Sequence, residues 1–168
     1  MPVVVADSSP LVYLARLGRL ELLRLLYSEV LIPDAVWREV AVEGRDFTEG
    51  RALLAAVSAG WIRIESCAPA AAAEEPLLQR LDDGEREAIT LAIRLRALLI
   101  IDEAAGRAAA TKLGVKLTGT LGVLVQATRR GLVPRLETEL DRLMVETNFR
   151  CADELITDAL KAVGEQKP

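Results

Sequence analysis

Two stretches of the chain end an apolar run on carboxylates. In "VVVADSSPL" the run over 3–6 stops at Asp7, and in "LLIIDEAAGR" four apolar residues lead straight into Asp102 and Glu103. Two amphipathic segments add further acids. Glu39 lies three residues after Val36 and one before Val40 in "AVWREVAVE", within or beside an apolar stripe where a carboxylate is costly without a partner. In "DDGEREAI", Glu85 shares a face with Leu81, Ala88, Ile89 and Ala92, and Glu87 falls at its flank. Acids gathered in one place repel one another and their pKa values rise; a hard divalent cation keeps them ionised. All-oxygen ligands suit Mg²⁺ or Mn²⁺, with water completing the octahedron. Such a site supports in-line attack of an activated water on a phosphodiester. Each residue also has a structural use: Asp7 or Asp102 as a helix cap, Glu39 and Glu103 as solvated surface, Glu85 and Glu87 as acids that favour a helix N-terminus. The weight rests on the conjunction.

The elements that must position these acids alternate between short apolar runs and longer amphipathic segments, the pattern of a parallel sheet covered by helices. Strands are expected at 3–6, 29–33, 61–65, 98–101 and 115–119. Helices are expected at 10–17, opened by Ser9 as N-cap and Pro10 and closed by Gly18, and at 19–26. Others follow Asp34 as a cap and lie near 51–58, 82–97, 104–113, 119–130, 135–145 and 152–163. The Ala/Pro/Glu run 68–76 reads as linker-like, and no internal repeat is evident. Right-handed crossovers bring all parallel strand ends to one edge, and ligands bind at that edge where connections diverge. Asp7 and Asp102 each follow a strand directly, so they are neighbours if the first and fourth strands are adjacent.

A chain of 168 residues fits one domain, here taken over 1–168, and can bury enough surface to fold without a disulfide or structural metal. Hydrophobic residues make up 51% and aromatics 4%, the profile of a helix-rich globular protein, and no run approaches the roughly 20 apolar residues of a membrane span. The N-terminus enters a strand without a basic signal region, so a cytoplasmic protein is expected. Cys67 and Cys151 lack CxxC spacing and read as inert thiols. Histidine is absent, which removes His-based triads and most zinc chemistries and leaves carboxylates, hydroxyls or an oxygen-held metal. The net charge of −4 disfavours a basic nucleic-acid binder of the usual kind. Bound Mg²⁺ offsets negative potential locally, and Arg107, in the first turn after the fourth strand, is the best-placed phosphate contact, with Arg16, Arg19, Lys112, Arg129 and Arg130 further off. A salt bridge to Glu103 is the other use of Arg107. Gly119 and Gly122 in "TGTLG" read as packing glycines ahead of phosphate binders.

The stretches "VVVADSSPLVYLARLGRLELL", "VLIPDAVWREV", "LDDGEREAITLAIRLRALLIIDEAAGRAAATKLGV" and "LTGTLGVLVQA" together resemble the PIN-domain superfamily. More narrowly they resemble the branch of nucleic-acid-binding PIN proteins found in bacterial and archaeal toxin-antitoxin pairs. The resemblance covers about 3–165 and implies a metal-dependent ribonuclease fold: a three-layer α/β/α sandwich with a central parallel sheet of about five strands in the order 3-2-1-4-5. By position the family's first acid falls on Asp7, with the following hydroxyl on Ser9, placed to orient water at the metal. The second falls on Glu39, the third on Glu85 or Glu87, and the fourth on Asp102 or Glu103. Many toxin members carry Asp at the third position and a "TND"-like turn at the fourth, whereas this chain has Glu and "DEAAGR". RNA, an antitoxin protein and a homodimeric twin are the partners the resemblance implies.

Three functions compete. The leading one is a Mg²⁺- or Mn²⁺-dependent endoribonuclease, the toxin half of an antitoxin-controlled pair. The second, favoured by the acidic charge and the substituted acids, is a catalytically weak PIN-fold module that binds nucleic acid or protein. The third, a haloacid-dehalogenase-like phosphohydrolase, ranks last because its second Asp, two residues after the first, is replaced here by Ser9.

Overall fold

The short apolar runs form five parallel strands: β1 (Val4–Ala6), β2 (Val30–Ile32), β3 (Ile62–Ile64), β4 (Leu98–Ile100) and β5 (Leu117–Thr118). The computed structural model describes residues 2–67 and 75–166, so most of the linker-like run 68–76 lies outside the described residues. The strand order is β3-β2-β1-β4-β5, as the resemblance implies. Val4, Val5 and Ala6 pair with Leu98, Leu99 and Ile100, and Val5 pairs with Leu31 on the other side. After β1 the chain steps outward to β2 and β3, then returns past β1 to β4, which puts the switch of direction between β1 and β4.

The helices among the described residues are α1 (Ser8–Arg16), α2 (Glu21–Tyr27), α3 (Asp34–Trp37), α4 (Thr48–Ser58), α5 (Asp83–Leu95), α6 (Ala104–Lys112), α7 (Thr120–Arg129), α8 (Leu136–Glu146) and α9 (Asp153–Ala162). They make three layers because β1 alternates: Val4 and Ala6 enter one core with α1, α2, α4, α7, α8 and α9, whereas Val5 enters a second core with α5 and α6. A central parallel strand is covered on both faces, which is why its sequence is continuously apolar rather than alternating. No helix among the described residues is long and apolar enough to cross a membrane.

Two local expectations are corrected. The first helix begins at Ser8 with Asp7 in the N-cap position, not Ser9; Pro10 still sits in the first turn, where its missing N–H costs nothing. Asp34 is the first residue of α3 rather than its cap, and that helix widens into a π-helical turn over Arg38–Glu43. The last helix buries Ile156, Ala159 and Leu160, whereas Leu155 is 55% exposed. Gly18 adopts φ +67° two residues past α1, the left-handed stop that a glycine makes without strain.

Candidate functional site

Asp7 leaves β1 with its backbone N–H bonded to the Ile100 carbonyl at 2.9 Å, and Ile101 leaves β4 bonded to Thr118 at the same distance. Asp7 and Asp102 therefore emerge side by side at the carboxyl edge, at the switch between β1 and β4. Asp7 is buried (2% exposed) although its side chain makes no capping bond to α1.

The N-terminus of α5 meets Asp7 here. Asp82 and Glu85 close a capping box: the Glu85 amide donates to Asp82 Oδ1 at 2.8 Å and the Asp82 amide to Glu85 Oε2 at 3.3 Å. Between them stands Gly84, and a methyl placed on it would lie 3.2 Å from Glu39 Oε2, 3.4 Å from Asp7 Oδ1 and 3.5 Å from Asp82 Oδ1. Carboxylates from β1, the π-helical turn and the α5 cap thus surround one gap over Gly84. Glu39 is exposed rather than sunk in its helix's apolar stripe, and the buried Ser8 hydroxyl holds it, donating to Oε2 at 2.7 Å. The Glu85 carboxylate faces the first turn of α6, with Oε1 3.1 Å from where a side chain on Gly106 would begin.

Burial pushes the Asp7 carboxyl up to about 8 against the opposing Ser8 amide, and the nearby Asp82, Glu85 and Glu39 charges raise it further. Burial likewise raises Glu85, reinforced by Asp82. Buried and crowded by like charges, both groups hold a proton more tightly than an ordinary carboxyl does.

Asp102 faces the other way along the edge. It accepts from the Thr120 amide at 2.8 Å and the Thr120 hydroxyl at 2.6 Å, so it covers the N-terminus of α7, not of α6. Burial raises its carboxyl, while those two donors and Arg107 pull it down. Gly119 is required here for packing: a methyl on it would stand 2.6 Å from Asp102 Oδ1 and 3.0 Å from Arg107 Nη1.

A family model described as DUF3368, PIN domain, matches residues 3–165. The chain belongs to the PIN-domain family. No curated protein matches it. PIN domains have a nuclease-type fold, and the acids of this one fall into two groups. Asp7, Glu39 and Asp82 approach the same gap at Gly84, and Glu85 adjoins them through its capping box with Asp82. In the sequence Asp82 or Asp83 reads only as the cap of this helix; the signal for a second use of Asp82 was its position three residues before Glu85. Ser8 was also missed, because the family pattern directs attention to Ser9. In this PIN domain Ser9 instead leans toward Glu103, at 3.4 Å.

Glu87 leaves the cluster: its Oε2 accepts from the Ala35 amide at 2.8 Å and so caps the first turn of α3. Glu103 is exposed in the N-cap position of α6, near enough to add to the charge on Glu85. Arg107 donates through Nη1 to the Ile101 carbonyl at 2.8 Å, and no ion pair joins it to Glu103 among the described residues.

The donor set of this PIN domain fits a hard cation in its chemistry: the carboxylates of Asp7, Glu39 and Asp82 border one gap at Gly84, with Glu85 beside it. The oxygens stand 3.2–3.5 Å from the methyl position on Gly84, and among the described residues no three acids are already drawn in as a closed ligand set. Rotation of the Glu39 and Asp82 side chains, both at the protein surface, is what closure requires.

Proposed function

We propose that this PIN domain is a Mg²⁺- or Mn²⁺-dependent endoribonuclease. The observation that carries the proposal is the convergence of Asp7, Glu39 and Asp82 oxygens on the gap above Gly84, with Glu85 beside it. Asp7, Glu39, Glu85 and Asp82 would hold the ion, with Asp102 and Glu103 bordering it. When bound, the ion supplies a Lewis acid for the phosphoryl oxygen and a water of lowered pKa. The protein's own part is orientation and charge. Ser8 holds Glu39 through its hydroxyl, the capping box holds Glu85 and Asp82 together, and Asp7 stands buried beside them. Ser9 and Arg107 flank it as substrate contacts.

Resemblance to the toxin branch supports the finer reading: the toxin half of a toxin-antitoxin pair, homodimeric and cytoplasmic, held by a cognate antitoxin. A homodimer elutes from gel filtration at twice the monomer mass. A second reading, a PIN-fold module that binds RNA or protein with little catalysis, is favoured by the net charge of −4 and by Glu in place of Asp at the third acid position.

Labelled RNA incubated with the protein and Mn²⁺, beside Asp7→Asn, separates the two. Cleavage lost in the variant supports the nuclease; intact RNA with retained binding supports the module.

A further inference from the structure

A cavity of about 370 Å³ opens at the far end of α5 and α6 from the acids, bordered by Ile93, Arg96, Leu113, Val115 and Lys116. Asp82 and Glu85 stand at the start of α5 and Glu103 at the start of α6, whereas this cavity lies where the two helices end. Arg96 comes two residues before β4 and Lys116 directly before β5, and Leu99 pairs with Leu117. Adjacent parallel strands therefore bring both cations to the edge of the sheet away from the acids. No carboxylate borders the cavity. Neither Arg96 nor Lys116 takes part in an ion pair among the described residues, although Arg94, two residues before Arg96, is held by Glu65 at 3.2 Å.

Arg96 is also placed where the backbone favours glycine, at φ +51° and ψ +40°. Five helices turn out on a glycine two residues past their ends, at Gly18, Gly60, Gly114, Gly131 and Gly164. Glycine would adopt the Arg96 conformation with less strain, so the guanidinium is what this residue contributes. A cation complements the carbonyls at a helix C-terminus, but Arg94 in the last turn of α5 already serves there. The rest of the lining is apolar: Leu113 and Val115 are half-buried against the second core, and Ile93 is 44% exposed. Two uncompensated cations beside an apolar wall match one anionic head on an apolar body, and the volume lies within the range of small-ligand clefts. We infer that this cavity binds a small carboxylate with an apolar chain, its head between the Arg96 fork and the Lys116 ammonium and its chain on Ile93, Leu113 and Val115. The inference does not depend on the nuclease reading, because the cavity shares no residue with the acidic site.

The test titrates sodium octanoate into the ¹⁵N-labelled full chain in EDTA, read by amide chemical shifts. Saturable binding is expected, with shifts at Arg96, Gly114 and Lys116 and none at Asp7 or Glu85. Octanamide, which keeps the chain without the charge, is expected to bind about tenfold more weakly, and so is acetate, which keeps the charge without the chain. Arg96→Gly is expected to weaken octanoate about tenfold, the effect of losing one hydrogen bond to a charged group. Its melting temperature should hold or rise, because glycine relaxes the backbone there, so lost binding in this variant is not lost fold. Ile93→Ala, at an exposed position, is expected to weaken octanoate about threefold. No saturable binding of octanoate, shifts gathered elsewhere on the protein, equal affinity for octanamide, or wild-type affinity in Arg96→Gly each overturns the inference.

Discussion

The Ser8 hydroxyl donates to Glu39 Oε2 at 2.7 Å across 31 positions of sequence. This bond ties the first residue of α1 to the π-helical turn, and it fixes an otherwise exposed carboxylate over the gap at Gly84. Ser8→Ala is expected to weaken Mn²⁺ binding about tenfold, the usual cost of losing a partner that orients a ligand, while stability falls by only about 1 kcal/mol. Calorimetric titration with Mn²⁺ beside a thermal melt measures both. Wild-type affinity in the variant would show that Glu39 needs no support.

Gly84→Ala separates the site from the fold in opposite directions. The added methyl fills the space between Asp7, Glu39 and Asp82 and is expected to cut metal affinity more than tenfold. In the first turn of α5, alanine gains roughly 0.5–1 kcal/mol over glycine, so the metal-free melting temperature should hold or rise. A variant that binds Mn²⁺ normally places the ion elsewhere.

The pH dependence follows from Asp7. Burial first, then Asp82, Glu85 and Glu39, lifts its carboxyl to about 8 from an ordinary 3.8. Between those values the folded state holds a proton that the unfolded state releases, so the metal-free protein loses stability as pH rises from about 4 to about 8. Mn²⁺ competes with that proton, so its affinity should increase over the same interval, and EDTA should lower the melting temperature more at pH 8 than at pH 5. Asp7→Asn removes the proton from the balance and should flatten the metal-free profile. A metal-free stability that climbs through neutral pH contradicts the buried, uncompensated carboxyl.

Glu87 and Glu85 are two residues apart and face different tasks. Glu87→Ala leaves the Ala35 amide without its partner and is expected to cost about 1–2 kcal/mol in denaturant unfolding, with Mn²⁺ affinity unchanged. Glu85→Gln is expected to do the reverse, weakening the metal at least tenfold with a modest change in stability. Equal effects of both on Mn²⁺ would return Glu87 to the site.

Much of the fold is legible in the chain itself. Each strand falls within a run of apolar or alternating residues, and α5 follows its 3.6-residue period between Asp82 and Arg96, because local periodicity and capping are written in neighbouring residues. The direct passage from β1 into Asp7 and from β4 into Asp102 also requires nothing but strand ends at a common edge. Glu85 was distinguishable as the inward member of its pair, since one residue turns a helix by about 100° and the apolar face identifies the phase.

Other features depend on residues far apart in sequence. Ser8 rather than Ser9 supports Glu39 because α1 starts two residues early; Asp82 joins the site because Gly84 lets three carboxylates approach; Asp102 turns to Thr120 because β5 delivers the α7 N-terminus beside it. The sequence by itself determined which strands run directly into acids at the common edge. Only the tertiary structure decided which of them face one another, because a carboxylate's direction follows from the donors and close approaches that the packed helices bring to it.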